Sequence, residues 1–114
     1  MYPSGRWKAY WDQPGYGRQE MELYLHFENG LISGQGADCI GLFTYEGKYN
    51  DQGSVVLIKQ YLKAHAVLYR GQYNGEGIIE GRWSIGEYYS GGFAMTPWPE
   101  ERNQELREDD IQSI

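Results

Sequence analysis

The sequence predicts an all-β protein, an eight-stranded antiparallel up-and-down β-barrel with a short C-terminal tail. Three observations predict it. Aromatic-x-Gly-x-aromatic units recur as Tyr45-Glu46-Gly47-Lys48-Tyr49, Tyr69-Arg70-Gly71-Gln72-Tyr73 and Tyr89-Ser90-Gly91-Gly92-Phe93, at intervals of 24 and 20 residues. This spacing sets an aromatic, a glycine and an aromatic on one face of every second strand. The composition, with 16 Gly, 11 Tyr and 4 Trp in 114 residues, suits pleated surfaces joined by tight turns. Turn-forming clusters also divide the chain into short alternating segments.

Strand one, over 5–12, sets Trp7, Ala9 and Trp11 against Arg6, Lys8 and Asp12, and Pro14-Gly15-Tyr16-Gly17 turns it back. Strand two, over 19–28, carries Met21, Leu23, Leu25 and Phe27 on one face and Glu20, Glu22, Tyr24, His26 and Glu28 on the other, the pattern of a half-buried strand with odd positions inward. Glu28-Asn29-Gly30 leads to strand three over 31–36, and strand four over 40–48 opposes Phe43 and Tyr45 to Thr44, Glu46 and Lys48. After Asn50-Asp51-Gln52-Gly53, strand five over 54–62 is apolar at both parities, Val55 and Leu57 against Val56 and Ile58. Strand six over 65–73 ends at Asn74-Gly75-Glu76-Gly77. Strand seven over 77–85 points Ile79, Gly81, Trp83 and Ile85 inward, and Gly86-Glu87 leads to strand eight over 88–96. Connections this short impose antiparallel neighbours. A meander with one apolar face buries it by curling until the first strand pairs with the last, which also removes both edges. Inward glycines at 47, 71, 81 and 91 leave room in a narrow interior.

The barrel domain is assigned to 1–97 and an acidic tail, partly helical or disordered, to 98–114. Pro97-Trp98-Pro99 ends the strand pattern, and residues 100–114 hold six acids against Arg102 and Arg107. Leu106 and Ile111 are the residues by which a short helix in the tail would dock. The net charge of −6 opposes binding to nucleic acid or to an anionic membrane, both of which call for a basic surface. The lone Cys39 excludes an internal disulfide. With no charged-then-apolar leader and no apolar run near the ~20 residues of a membrane helix, a cytoplasmic location is expected.

Gly5-Arg6-Trp7 on the first strand resembles the Gly-x-Trp signature of the calycin superfamily, which includes lipocalins and streptavidin-like proteins. Lys59-Gln60-Tyr61-Leu62-Lys63-Ala64-His65 followed by Gly71-Gln72-Tyr73 is similar to a strand pair of streptavidin-like proteins. Trp83 falls where that resemblance implies a ligand-lining tryptophan. Biotin does not carry over, because Trp7 and Tyr10 on strand one and Ala66 and Leu68 on strand six stand where hydrogen-bonding groups would be needed. The resemblance implies a barrel that carries a small ligand.

With odd residues inward, Trp7, Phe43, Tyr45, Trp83 and Phe93 would form apolar walls, joined by Tyr69, with Lys59, Tyr61 and His65 as a polar floor. That lining suits a compact hydrophobic or amphipathic molecule, including one with an anionic or carbonyl end. Lys59 has two alternatives: it enters the barrel and takes Asp38 as counter-charge, or strand five runs even-inward and Lys59 is solvated. A catalytic version would use His65 as general base with Tyr61 or Lys59 steadying an oxyanion. The chain has no nucleophile elbow, no paired interior carboxylates and no metal-ligand spacing, so binding without catalysis, cofactor or metal is expected. The Tyr-x-Gly-x-Tyr units also resemble MORN repeats, which would form an open twisted sheet for protein or lipid partners. The outward aromatics Tyr10, Tyr24, Tyr88 and Trp98 would mark a homodimer interface if they shared one side.

Overall fold

A computed structural model describes residues 2–13 and 15–98. Eight strands, β1 (Gly5–Gln13), β2 (Gly17–Glu28), β3 (Leu31–Ala37), β4 (Leu42–Tyr49), β5 (Ser54–Tyr61), β6 (Ala66–Tyr73), β7 (Ile79–Ile85) and β8 (Tyr89–Pro97), form a closed antiparallel meander. β1 pairs with β8 from Trp7↔Pro97 to Trp11↔Phe93. That closure rules out the open sheet implied by the MORN resemblance. No helix among the described residues is long and apolar enough to cross a membrane. The tail assignment from residue 99 onward lies outside the described residues.

The stagger of the barrel follows from the strand register. From Trp7 the partners run through Leu23, Gly36 and Phe43 to Tyr61, and from Trp11, four residues along β1, they run the other way through Phe93, Gly81 and Gly71 to Val55, six residues along β5. Four and six together make a total offset of ten residues around eight strands. An eight-stranded barrel with an offset of eight tilts its strands by about 36°. The larger offset tilts them further and widens the interior, which is why rings fill it. Trp7, Phe43, Tyr45 and Tyr69 are buried, with Phe43, Tyr45, Tyr69 and Phe93 in successive edge-to-face contacts.

Odd residues point inward on every strand but β3, where Ile32 is buried and Leu31 exposed. The cause is local. Asn29 (φ 50) and Gly30 (φ 80) make a two-residue turn in the left-handed region, so Phe27 pairs with Ile32 and odd positions meet even ones. The four-residue turn of Asp38 to Gly41, closed by mutual backbone hydrogen bonds of 3.1 Å between those two residues, restores odd parity on β4. Asp38, next in the even series of β3, is thereby delivered to the interior side.

The two ends differ. At one, the N-terminal segment folds in as a plug: the Tyr2 ring packs on Phe27, Tyr49 and Tyr73 at 4.9 to 5.4 Å, Trp7 Nε1 donates to Pro3 O at 2.8 Å, and Phe27 N donates to Ser4 Oγ. The other end, carrying the turns after β1, β3, β5 and β7, is where space remains. Outside, β1 and β2 are linked by Arg6–Glu22 and Lys8–Glu20 ion pairs. Of the outward aromatics, Tyr10 lies under Arg18 and Trp98 under Arg6, at 4.0 and 4.4 Å, whereas Tyr24 is exposed on β2 beside Arg6 and Tyr88 is exposed in the turn after β7.

Candidate functional site

At the turn-rich end a cavity of about 140 Å³ opens between β1, β5, β6, β7 and β8. Its inner wall is Trp11, Val67, Tyr69 and Trp83, its floor Lys59 and Tyr61, and its rim Gln13, Ile40, His65, Ile85 and Tyr89. Trp11 and Trp83 meet edge-on with centroids 6.3 Å apart, and Tyr89 sits edge-on to Trp83 at 5.2 Å. Trp83 Nε1 donates to Asp12 O at 3.0 Å, and Gln13 Nε2 to the Tyr89 hydroxyl at 2.9 Å, so β7 and β8 are tied across the mouth to β1. Trp11 Nε1 is buried and has no hydrogen-bond partner.

Lys59 enters the barrel, the first of its two alternatives. Its side chain is 1% exposed, and Nζ lies 2.7 Å from Asp38 Oδ2. Tyr61 donates its hydroxyl to the same carboxylate oxygen at 2.6 Å, and Ile40 N donates to Asp38 Oδ1 at 2.9 Å. Met21 Sδ stands 3.3 Å from Nζ, and the ammonium lies 4.2 Å from the Phe43 centroid and 4.7 Å from that of Tyr61. A buried charge is tolerated only when it is paired and hydrogen-bonded, and here both charges are.

Burial pushes the Asp38 carboxyl up, but the Lys59 ammonium and the Tyr61 hydroxyl outweigh it and hold the group below the usual carboxylate range. Burial lowers the Lys59 ammonium, with Asp38 resisting. Burial also raises three phenols of the barrel interior: Tyr45 well above its ordinary value, Tyr61 with added resistance from Asp38, and Tyr69 up to about 12. Groups whose folded values are raised contribute stability that is complete below the unfolded value near 10 and is lost as pH climbs through the folded ones. Absorbance at 295 nm is therefore expected to show these phenols ionising only with unfolding, above about pH 11. One reversible wave for every tyrosine would contradict the arrangement.

Of the residues expected to line a site, Lys59, Tyr61, His65, Tyr69 and Trp83 meet at this cavity. Trp7, Phe43, Tyr45 and Phe93 do not; they point inward as expected, but Phe43, Tyr45 and Phe93 fill the barrel's solid middle and Trp7 packs on Phe27 toward the plugged end. His65 is on the rim, exposed in the turn after β5, with its ring 5.2 Å from that of Tyr61. Sequence reasoning missed Trp11, Gln13, Ile40, Val67, Ile85 and Tyr89. The available signal was chain direction: the last inward residue of β1 and the first of β6 and β8 all lie at one end of an up-and-down meander. Among the described residues no group of three or more His, Cys, Asp or Glu side chains is placed to hold a metal. No protein-family model matches the chain, and no curated protein matches it either.

Proposed function

We propose that the protein is a calycin-like carrier that binds one compact, uncharged hydrophobic or amphipathic molecule in the cavity at the turn-rich end, without catalysis. The observation that carries the reading is the cavity of about 140 Å³ walled by Trp11, Val67 and Trp83 above a floor that contains a self-compensated ion pair. An apolar cavity of about 150 Å³ is enough for a benzene-sized guest, so a single ring fits. Gly5-Arg6-Trp7 and the Lys59 to His65 segment, which resemble calycin and streptavidin-like sequences, support a carrier role.

The floor argues for neutrality. Lys59 is already matched by Asp38, so a carboxylate on the ligand would lie beside a second carboxylate, and an ammonium beside a second ammonium. An uncharged hydroxyl or carbonyl avoids both penalties. Catalysis fits less well: Tyr61 already gives its hydroxyl hydrogen to Asp38, leaving none for an oxyanion.

Calorimetric titration with phenol, benzoate and benzylammonium tests this. Phenol is expected to bind at least tenfold more tightly than either ion, a difference of about 1.4 kcal/mol. Val67→Phe, which fills the cavity from its wall, is expected to remove phenol binding while the protein stays folded. Equal or tighter binding of benzoate, or phenol binding unchanged in Val67→Phe, would overturn the proposal.

A further inference from the structure

The outer surface of the barrel is not uniform. Over β1 and β2 it is charged and laced by ion pairs, whereas over β4 to β6 an apolar strip of Val56, Ile58 and Leu68 lies beside Glu46 and Lys48 on β4 and Arg70 on β6. Val56 and Ile58 point out of β5 with 37% and 51% exposure. Leu68 is the direct partner of Ile58 on β6. At the turn-rich end Leu42 and Leu62 are joined by a backbone hydrogen bond and are 62% and 61% exposed. β5 reads Ser-Val-Val-Leu-Ile-Lys-Gln-Tyr, apolar at both parities through its first half. A strand of that kind belongs to a sheet covered on both faces, and the barrel covers only one.

We infer that this face packs against the same face of a second copy, forming a two-fold symmetric homodimer. The charges beside the patch select the occupant and its orientation. On β4, Glu46 stands beside Ile58 and Lys48 beside Val56, while Arg70 on β6 flanks Val56 from the other side. Neither Glu46 nor Lys48 makes an ion pair within the described residues. A two-fold axis lying between the facing sheets and running along the strands would set the Lys48 of one copy against the Arg70 of the other, which is repulsive. An axis perpendicular to the strands, passing between the Val56 and Ile58 rows, sets Val56 on Ile58 of the second copy. It also sets each Lys48 opposite a Glu46, so two ion pairs form at the margin of an apolar centre. In that arrangement the aliphatic stem of Arg70 covers Leu68. The surface is thus complementary to itself in one orientation. The outward aromatics Tyr10, Tyr24, Tyr88 and Trp98 take no part in it.

Sedimentation velocity on the full chain, from about 5 to 200 µM, tests the inference, with far-UV circular dichroism confirming the fold of each variant. The range spans the micromolar affinities reached by small interfaces. The wild type is expected to approach twice its 13.2 kDa chain mass at the upper concentrations. Ile58→Glu is expected to stay at the single-chain mass throughout. Lys48→Glu is expected to weaken the dimer at least tenfold, and Glu46→Lys combined with Lys48→Glu, which exchanges the pairs, to return it to within about threefold of wild type. A wild type that remains a single chain at 200 µM, or a double variant no better than Lys48→Glu, would overturn it. Neither result bears on the cavity, which lies inside the barrel end and is read out by ligand binding alone.

Discussion

Replacing Asp38 by asparagine is expected to lower stability by about 3 kcal/mol at neutral pH, because removing one member of a buried pair leaves the other charge uncompensated. Asparagine keeps the oxygen that accepts Ile40 N but puts an amide NH2, a donor, where Oδ2 accepted from Tyr61 and Lys59, so the turn is kept while the charge and the Oδ2 acceptor are lost. The variant has a characteristic pH dependence. Lys59, already held below its ordinary value by burial, would fall further without Asp38. Between its folded and unfolded values the unfolded chain binds more protons, so stability rises with pH in that window. Wild type shows a dependence of the same sign at the acid end. Asp38 is held below its usual range, so its contribution is complete above about pH 4 and is lost as pH falls through the folded value. Lys59→Met combined with Asp38→Asn, which removes both charges, is expected to recover most of the stability. Urea unfolding followed by tryptophan fluorescence measures the wild type and both variants. A cost below about 0.5 kcal/mol for the single change would match a solvent-exposed pair and contradict the buried one.

Gly81→Ala is expected to be at least as damaging, costing about 3 kcal/mol or abolishing folding, the upper end of what overpacking produces. A Cβ at Gly81 would stand 2.0 Å from Arg70 O and 2.7 Å from Gly71 Cα. Both contacts are backbone on the neighbouring β6, so no rotamer change relieves them and the two strands must part. Gly71 and Gly81 are direct partners, a paired gap that lets β6 and β7 coil tightly enough for closure. Gly75→Ala is the control: its Cβ would meet nothing within 4 Å, and only its φ of +84° opposes the change, at about 1 kcal/mol. Thermal unfolding of both variants gives the comparison. A Gly81→Ala protein as stable as the Gly75→Ala one would contradict the close approach.

The architecture was legible because alternation and turn chemistry act locally. Met21, Leu23 and Leu25 against Glu20, Glu22 and Tyr24 declare which side of β2 is dry, and eight such segments joined by short turns have few ways to bury one face. β5 was ambiguous for a physical reason, since Val56 and Ile58 are as apolar as Val55 and Leu57 and parity alone could not choose. The turn at Asn50 to Gly53 decides it by pairing odd residues of β4 with odd residues of β5. The parity change on β3 was equally local, written in Asn29-Gly30, and it is what turns Asp38 toward Lys59. The position of the cavity was not legible. Trp7, Phe43 and Phe93 point inward as surely as Trp11 and Trp83 do, but which inward residues share a level depends on the ten-residue stagger. That is a global quantity, summed over every turn, and no single segment carries it.

The account rests most heavily on a ligand cavity at one end of an otherwise solid barrel, and the four tryptophan indole N–H signals in a proton–nitrogen correlation spectrum test it most directly. Trp11 and Trp83 line the cavity, Trp7 is bonded to Pro3 at the plugged end, and Trp98 lies outside under Arg6. Titration with phenol is predicted to shift the Trp11 and Trp83 signals together and saturably, leaving those of Trp7 and Trp98 in place. No movement of the Trp11 and Trp83 signals, or equal movement of all four, would contradict it.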